Sequence, residues 1–156
     1  MTKLSALLIT YNEINNIEDV INNISFADEI IVVDSFSTDG TLEKLANFKN
    51  VTTISREFKN FADQRNFAIK KVKHNWILFI DADERITHEL KIEIINEINK
   101  PQKTVAFLFK RLFYFKNKKI RFSGFQTDTK YRLFKKDHVK YQENKNIRNI
   151  HLIKEK

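Results

Sequence analysis

Three carboxylates follow directly after an apolar segment near the middle of the chain. Residues 76–80 read Trp-Ile-Leu-Phe-Ile, and Asp81, Asp83 and Glu84 come immediately after them. A continuous apolar run of this length is typical of a central strand in a parallel sheet, and in open α/β sheets ligands bind beyond the carboxyl ends of the strands. If the extended backbone continues, Asp81 and Asp83 leave the same side of the chain. Two such carboxylates suit Mg²⁺ or Mn²⁺ together with the phosphates that the ion carries.

The same carboxylates have a second interpretation that needs no ligand. Short acidic turns before helices are common, and these side chains would then lie in solvent and cap a helix that begins near Thr87. For an isolated Asp-x-Asp pair this is the commoner case. Polar residues at the ends of other predicted strands favour a binding site instead.

The chain has the length of one domain and an uneven distribution of charge. Its 156 residues suffice for a hydrophobic core, and the net charge is +8. Residues 1–100 contain 12 Lys+Arg and 16 Asp+Glu, a balance of −4, whereas residues 101–156 contain 16 and 4, a balance of +12. A strongly basic second part indicates an anionic partner, which could be a phosphate, a nucleic acid or the inner face of a membrane.

Composition also excludes several kinds of site. The absence of cysteine rules out disulfides, thiolate zinc sites and cysteine nucleophiles. With only two glycines, Gly40 and Gly124, neither a P-loop nor a glycine-rich dinucleotide fingerprint can form. The chain has no apolar run of the roughly 18 residues that span a membrane and no basic region like that of a signal peptide, so we expect a cytoplasmic protein, in peripheral contact with the membrane at most.

Apolar periodicity divides the first hundred residues into four strand–helix units. Strands are predicted over residues 4–9, 30–33, 51–55 and 76–80, and helices over residues 17–24, 42–48, 61–72 and 87–99, the first of them capped by Asn15 or Asn16. This succession predicts an α/β fold with a doubly wound, mostly parallel sheet. From residue 104, aromatic residues alternate with Lys and Arg, which predicts a hairpin of residues 104–115 and 118–125 that turns near Asn117, and a further strand over residues 131–134.

Polar residues stand at the carboxyl ends of three predicted strands. They are Tyr11-Asn12-Glu13 after the first strand, Asp34 after the second, and Asp81-Ala82-Asp83 after the fourth. Because parallel strands of one sheet open on a common edge, these clusters should converge there. A nucleotide bound at that edge would be held by side chains, strand ends and a metal ion.

Four segments together resemble the family 2 glycosyltransferases, which have the GT-A fold. They are residues 7–13 (LLITYNE), 28–41 (DEIIVVDSFSTDGT), 61–68 (FADQRNFA) and 76–84 (WILFIDADE). The chain is most similar to small bacterial enzymes of lipopolysaccharide-core biosynthesis, in which an Arg-Leu-Phe segment like residues 132–134 follows a basic aromatic hairpin. The resemblance covers residues 4 to about 145. It implies a nucleotide-sugar-binding α/β core in residues 1–100 and a basic, β-rich acceptor-side annex of the same domain in residues 101–156.

The resemblance assigns four residues to the base and ribose of the nucleotide-sugar. Thr10, Tyr11 and Glu13 would border the base and ribose, and Asp34 would hydrogen-bond to one of them. Each assignment has an alternative that involves no ligand. Tyr11 could be an ordinary aromatic at a strand end, and Asp34 a helix cap or turn residue.

The remaining assignments concern the diphosphate. Asp81 would contact the ribose or the metal, Ala82 would lie between the two carboxylates, and Asp83 would bind the Mg²⁺ or Mn²⁺ that bridges the diphosphate and so take part in catalysis. Arg65 would balance phosphate charge or pair with an acidic neighbour. Its alternative is a surface ion pair with Asp63, which would contribute little.

The activity that the resemblance implies is inverting, metal-dependent transfer of a sugar to a bacterial surface glycan or glycolipid such as the lipopolysaccharide core. Inversion needs a base that takes the proton of the acceptor hydroxyl. In similar enzymes this base is the Glu of a Val-His-Glu-like motif, but the corresponding place here reads Ile147-Arg148-Asn149. Glu143 is the nearby carboxylate and hence the candidate base. We expect a shortened family member.

Two alternatives remain open at this stage. The first is a catalytically impaired module that binds the donor without transferring its sugar. The second is a nucleic-acid-binding protein, because aromatic and cationic side chains alternate over residues 110–122 as in single-strand binders. The same pattern also fits a hairpin with core-facing aromatics and solvated lysines, or a basic face that meets anionic lipid or a phosphorylated acceptor. We expect no nucleic acid as partner.

Overall fold

A computed structural model describes residues 1–101, 103–112, 114–115, 118–119, 129–142 and 150–152. Its helices and strands alternate in the first hundred residues, and strands predominate afterwards. In chain order they are β1 (Leu4–Thr10), α1 (Ile17–Asn23), β2 (Glu29–Asp34), α2 (Thr41–Leu45), β3 (Val51–Ser55), α3 (Phe61–Lys71), β4 (Trp76–Phe79), α4 (His88–Asn99), β5 (Ala106–Lys110), β6 (Tyr114–Phe115), β7 (Lys118–Lys119), β8 (Thr129–Lys135), β9 (Val139–Tyr141) and β10 (Ile150–Leu152).

Six strands form the central sheet in the order β3-β2-β1-β4-β8-β5. The first four are parallel, whereas β8 pairs antiparallel with both β4 and β5. Thr10 lies beside Asp34 in the register of β1 and β2, and Leu7 lies beside Phe79 in that of β1 and β4. The carboxyl ends of β1, β2 and β4 therefore meet at one edge, as the sequence predicted.

Alternate residues of each strand point to opposite faces of the sheet and build two hydrophobic layers. On one face Leu8 lies in a buried cluster with Ile17 of α1 and Ile94 of α4. On the other face Leu7 lies in a second cluster with Ala68 of α3. Helices thus cover both faces of the parallel strands, and the prediction of a doubly wound sheet is confirmed.

All helix ends but one lie within one residue of the predicted ends. Helix α2 stops at Leu45 rather than at residue 48. Asn16 precedes α1, but the predicted side-chain cap is wrong, because its backbone is already helical and its Nδ2 donates to Glu13 Oε2 at 2.8 Å. Thr87, in contrast, caps α4 by accepting the Leu90 N–H on Oγ1 at 3.2 Å. Among the helices in the described ranges, none has the length and apolarity required to span a membrane.

The predicted hairpin of residues 104–115 and 118–125 divides into two parts. Strand β5 pairs with β8 and extends the central sheet, while the short strands β6 and β7 pair with each other. Phe107 explains why β5 joins the sheet, since its ring lies 5.8 Å from that of Trp76 and packs on the core. The turn residue Asn117 lies outside the described residues.

Hydrogen bonds connect the loop after β1 to the loop after β2. The Asn12 N–H donates to Ser37 Oγ at 2.8 Å, and Asn12 Oδ1 accepts the Thr38 N–H at 2.9 Å. Asn12 has φ +54, a left-handed conformation that Asn tolerates better than most residues. Gly40, which precedes α2, has φ +96. These contacts fix the two loops that border the sheet edge.

Replacing Gly40 with alanine is expected to lower the free energy of unfolding by about 1–2 kcal/mol, since a left-handed backbone disfavours Cβ. The new Cβ would also lie 2.8 Å from Ile14 Cδ1. Urea unfolding followed by circular dichroism measures the loss. Adding Ile14→Val removes that methyl group and should restore only part of the stability, whereas full recovery would show that the backbone conformation contributes nothing.

Candidate functional site

A cavity of about 830 Å³ opens at the carboxyl edge of the sheet. It collects side chains from β1, α3, the turn after β4, and strands β8 and β9. Seven of the eight residues predicted to hold a nucleotide-sugar line it, namely Thr10, Tyr11, Glu13, Arg65, Asp81, Ala82 and Asp83. Tyr11 is 59% exposed at its mouth, so its ring is available to a ligand.

Asp34 is the predicted residue that the structure does not bring into the cavity. Its side chain is fully buried and accepts three hydrogen bonds, from Thr10 Oγ1 at 3.0 Å, from the Ser37 N–H at 2.8 Å and from Ser37 Oγ at 2.6 Å. These donors use both carboxylate oxygens to hold the loop after β2. Asp34 therefore supports the residues around Tyr11 from behind.

The chain turns immediately after β4 instead of continuing as a strand. The Glu84 N–H donates to the Asp81 carbonyl at 3.0 Å, so the expectation of an extended segment with both aspartates on one side is wrong. Asp81 is half-buried and Asp83 is exposed. Thr87, not one of these carboxylates, caps the next helix. Within the described part of the chain, no hydrogen bond or ion pair engages the Asp83 carboxylate.

Arg132 of β8 lies beneath this turn. Its side chain is only 7% exposed, and Nη2 contacts Asp81 Oδ2 at 2.5 Å and Glu84 Oε1 at 2.6 Å. Burial disfavours the charged guanidinium, but the two carboxylates outweigh burial and hold the pKa of Arg132 above its ordinary value. Arg132 is thus a permanently charged partner of Asp81.

Arg65 of α3 approaches Asp81 from the other side. Its Nη2 lies 3.5 Å from Asp81 Oδ1, and its guanidinium carbon lies 5.2 Å from the ring centres of both Phe79 and Tyr141. The side chain is 12% exposed, and its buried Nε–H has no acceptor among the described residues. The alternative of a surface pair with Asp63 is wrong, because Asp63 lies 2.6 Å from Arg56.

Tyr141 closes the floor of the cavity. Asn66 of α3 holds its backbone by accepting the Tyr141 N–H at 2.9 Å and donating to the Tyr141 carbonyl at 2.8 Å. Burial raises the pKa of the Tyr141 hydroxyl to about 12, even though Arg65 and Arg132 act in the opposite direction. The hydroxyl therefore stays protonated at neutral pH.

The alkaline titration of Tyr141 gives a direct check of this burial. The difference in tyrosinate absorbance between the wild type and Tyr141→Phe should have its midpoint near pH 12. In urea-unfolded protein the same difference should move to about pH 10. Because the folded pKa is the higher one, Tyr141 stabilises the fold below about pH 10, and this contribution is lost as pH rises through the folded value. A folded-state midpoint near 10 would contradict the burial.

The cavity offers few protein ligands to a divalent cation. No group of three His, Cys, Asp or Glu side chains suited to a metal ion occurs within the described ranges. The exposed Asp83 carboxylate on the cavity wall still fits a Mg²⁺ or Mn²⁺ ion, because such ions commonly take one or two protein carboxylates and complete their coordination with phosphate oxygens and water. Asp81, already engaged by two arginines, fits that role less well.

Sequence reasoning assigned no site role to several residues of the cavity or its frame, among them Arg132, Tyr141 and Glu84. Arg132 was noted only within an Arg-Leu-Phe strand, Tyr141 was given no role, and Glu84 was noted only as part of the acidic turn. The single charge within the predicted strand 131–134 was the available signal for Arg132. Glu143, the candidate base, lies outside the described residues.

The mostly parallel sheet and the acidic turn on the cavity at its carboxyl edge are features of the GT-A fold. The model of the family "Glycosyl transferase family 2" matches residues 5–151. The chain belongs to this family.

Relatives and solved structures agree with this assignment. An uncharacterised glycosyltransferase of Rickettsia bellii is 38% identical over 74% of this chain and 40% of its own length. The lipopolysaccharide core biosynthesis glycosyltransferase LpsC of Rhizobium meliloti is 31% identical over 61% of this chain and 36% of its own. TarS of S. aureus (residues 1–349), solved with UDP-GlcNAc, is 26% identical over 67% of this chain and 39% of its own, with a TM-score of 0.52. The chain thus spans well under half the length of these relatives.

Proposed function

We propose that the protein binds a nucleotide-diphospho-sugar in the cavity and transfers its sugar, with inversion and with the aid of a divalent cation, to a bacterial surface glycan or glycolipid. The observation that carries the proposal is the exposed Asp83 carboxylate, which lines the same cavity as Arg65 at the carboxyl edge of the sheet. The lipopolysaccharide-core role of LpsC and the UDP-GlcNAc bound by TarS support the acceptor class and the donor class.

The base and ribose would lie between the end of β1 and helix α3. Tyr11 offers an exposed ring at the mouth, and Thr10 and Glu13 line the adjoining wall. The Glu13 N–H donates to Thr41 Oγ1 at 2.9 Å, and the Glu13 carboxylate accepts a hydrogen bond from Asn16. Glu13 is therefore fixed in place before any ligand arrives. A predicted contact of Asp34 with the base is not part of this arrangement, since Asp34 is buried behind the loop.

The diphosphate would lie between Asp83 and Arg65. A Mg²⁺ or Mn²⁺ ion held by Asp83 would neutralise the negative charge that develops on the leaving diphosphate. Arg65 contacts Asp81 at 3.5 Å and lines the cavity, so its guanidinium can also donate to a phosphate oxygen. Ala82, which lines the same wall, leaves room for the ligand beside the two aspartates.

Glu143 remains the predicted base for the acceptor hydroxyl. Sugar transfer measured for the wild type and for Glu143→Gln tests this role, because equal activity of the two proteins would eliminate Glu143 as the base.

A donor-binding module without transfer is the second candidate function, and it is favoured by the sequence Ile147-Arg148-Asn149 where similar enzymes have their Glu. The cytoplasmic location, and contact of the basic annex with anionic lipid, stay predictions.

Thermal unfolding against a panel of UDP, GDP, ADP and CMP sugars, each with Mn²⁺ or with EDTA, tests the proposed function. We expect one nucleotide class to raise the melting temperature, and to raise it further with Mn²⁺. A nucleotide-sugar at 100 times its dissociation constant should raise the free energy of unfolding by about 2.7 kcal/mol. No response to any member of the panel would refute donor binding.

A further inference from the structure

Glu84 lies outside the cavity lining, but it connects the backbone of Asp81 in the acidic turn to Arg132 of β8 and to Arg111. Its Oε2 accepts the Asp81 N–H at 3.1 Å, and its own N–H donates to the Asp81 carbonyl at 3.0 Å. These two bonds close a small ring across Ala82 and Asp83. The ring fixes the backbone from which the Asp83 carboxylate projects.

The other oxygen of Glu84 ties this ring to the second half of the chain. Oε1 lies 2.6 Å from Arg132 Nη2 and 3.1 Å from Arg111 Nε. Both arginines lie beyond residue 100, and Arg132 is buried, so the anchor is attached to the core. Glu84 is 16% exposed and hence largely shielded from solvent, where charge-assisted hydrogen bonds are stronger than on an open surface.

The charges of the cluster explain why a carboxylate is needed at position 84. Arg65, Arg111 and Arg132 face two carboxylates, Asp81 and Glu84, within ion-pair distance. Without Glu84, Arg132 would keep Asp81 as its one carboxylate partner among the described residues, and Arg111 would lose its contact with the turn. Arg132 and Arg111 would then repel each other and the turn would lose the acceptor of the Asp81 N–H.

We propose that Glu84 is a positioning residue that aims Asp83 at the metal, by clamping the acidic turn to Arg132 and Arg111. This inference rests on the proposed function, since it concerns how the donor's divalent cation is held. Hydrogen-bond partners behind a metal ligand typically change metal affinity by about 10–100-fold when they are removed. Glu84 would act in this way on Asp83 without touching the ion.

The test compares the dissociation constants of UDP, GDP and ADP, measured by calorimetry with Mn²⁺ and with EDTA. For the nucleotide that the wild type binds, Glu84→Gln should lose at least about tenfold of the Mn²⁺-dependent gain in affinity, while its affinity in EDTA changes less than about twofold. Glu93→Gln, which alters an exposed glutamate on α4, should match the wild type. Melting curves without ligand verify that each variant is folded.

Each outcome has one meaning. A wild type that binds no nucleotide refutes the proposed function itself. A wild type with a Mn²⁺-dependent gain that Glu84→Gln retains refutes the positioning role, and so does an equal loss of affinity in Mn²⁺ and in EDTA, because that would show a general collapse of the cavity. If Glu84→Gln does not fold, Glu84→Asp keeps the charge but withdraws the carboxylate by one methylene, and it must show the same selective loss for the proposal to stand.

Discussion

Replacing Asp83 with alanine is expected to remove the Mn²⁺-dependent part of donor binding while leaving the fold intact. In the wild type, a nucleotide-sugar at 100 times its dissociation constant should raise the free energy of unfolding by about 2.7 kcal/mol. Asp83 is exposed and forms no hydrogen bond or ion pair within the described part of the chain, so its removal should change the stability of the free protein by less than about 0.5 kcal/mol. Unfolding curves with Mn²⁺ and with EDTA separate the two effects.

The matched control for this experiment is Asp137→Ala. Asp137 is an exposed carboxylate on the short 3₁₀ turn Lys136–His138, outside the cavity lining. It should keep the full metal-dependent stabilisation, because it removes the same charge at a different place. An Asp83→Ala variant that retains this stabilisation would place the metal elsewhere and would leave the exposed carboxylate without a role.

The second large effect is expected from Arg132→Met, which should lower the free energy of unfolding by about 3 kcal/mol. Removing one partner of a buried ion pair leaves the other charges uncompensated, and this is far more costly than the net value of the pair. In this variant the arginine contacts within the described residues would be reduced to Arg65 at 3.5 Å for Asp81 and to Arg111 for Glu84. Urea unfolding at neutral pH measures the loss.

Two further variants show whether the loss of stability comes from the buried guanidinium of Arg132 or from the removal of any positive charge. Arg132→Lys keeps the charge but lacks the planar fork that reaches two carboxylates, so it should be destabilised by a smaller amount. Lys140→Met removes an exposed cation from the neighbouring strand β9 and should stay within about 0.5 kcal/mol of the wild type. A loss below about 1 kcal/mol for Arg132→Met would mean that Asp81 and Glu84 need no buried countercharge.

The strands and helices of the first hundred residues were predictable because local patterns determine them. Apolar periodicity identified β3 over Val51–Ser55 with both ends correct, and it placed helix α3 within one residue of its observed end. The common edge then followed from topology alone, since parallel strands linked by helices place their carboxyl ends together. This is why seven predicted side chains were found around one cavity.

The misplaced residues share a different cause. Asp34 turned inward because Ser37, three residues later, supplies two donors and makes a local turn that satisfies the carboxylate. The spacing Asp-x-x-Ser was a signal for this arrangement. Arg132 and Tyr141 could not be assigned in the same way, because their partners Asp81 and Asn66 lie 51 and 75 positions away in the sequence. No local pattern encodes such a distance.

The antiparallel insertion of β8 beside β4 has a consequence for the order in which the protein folds. The parallel strands and their helices pair within the first hundred residues, whereas Arg132 reaches Asp81 only when β8, which lies beyond that part of the chain, has paired with β4. An intermediate that contains only the first hundred residues would leave the acidic turn with Arg65 but without Arg111 and Arg132. Nascent chains would therefore acquire an intact cavity only late, after the strands that carry Arg132 and Tyr141 have docked, so that ligand affinity would report completed folding.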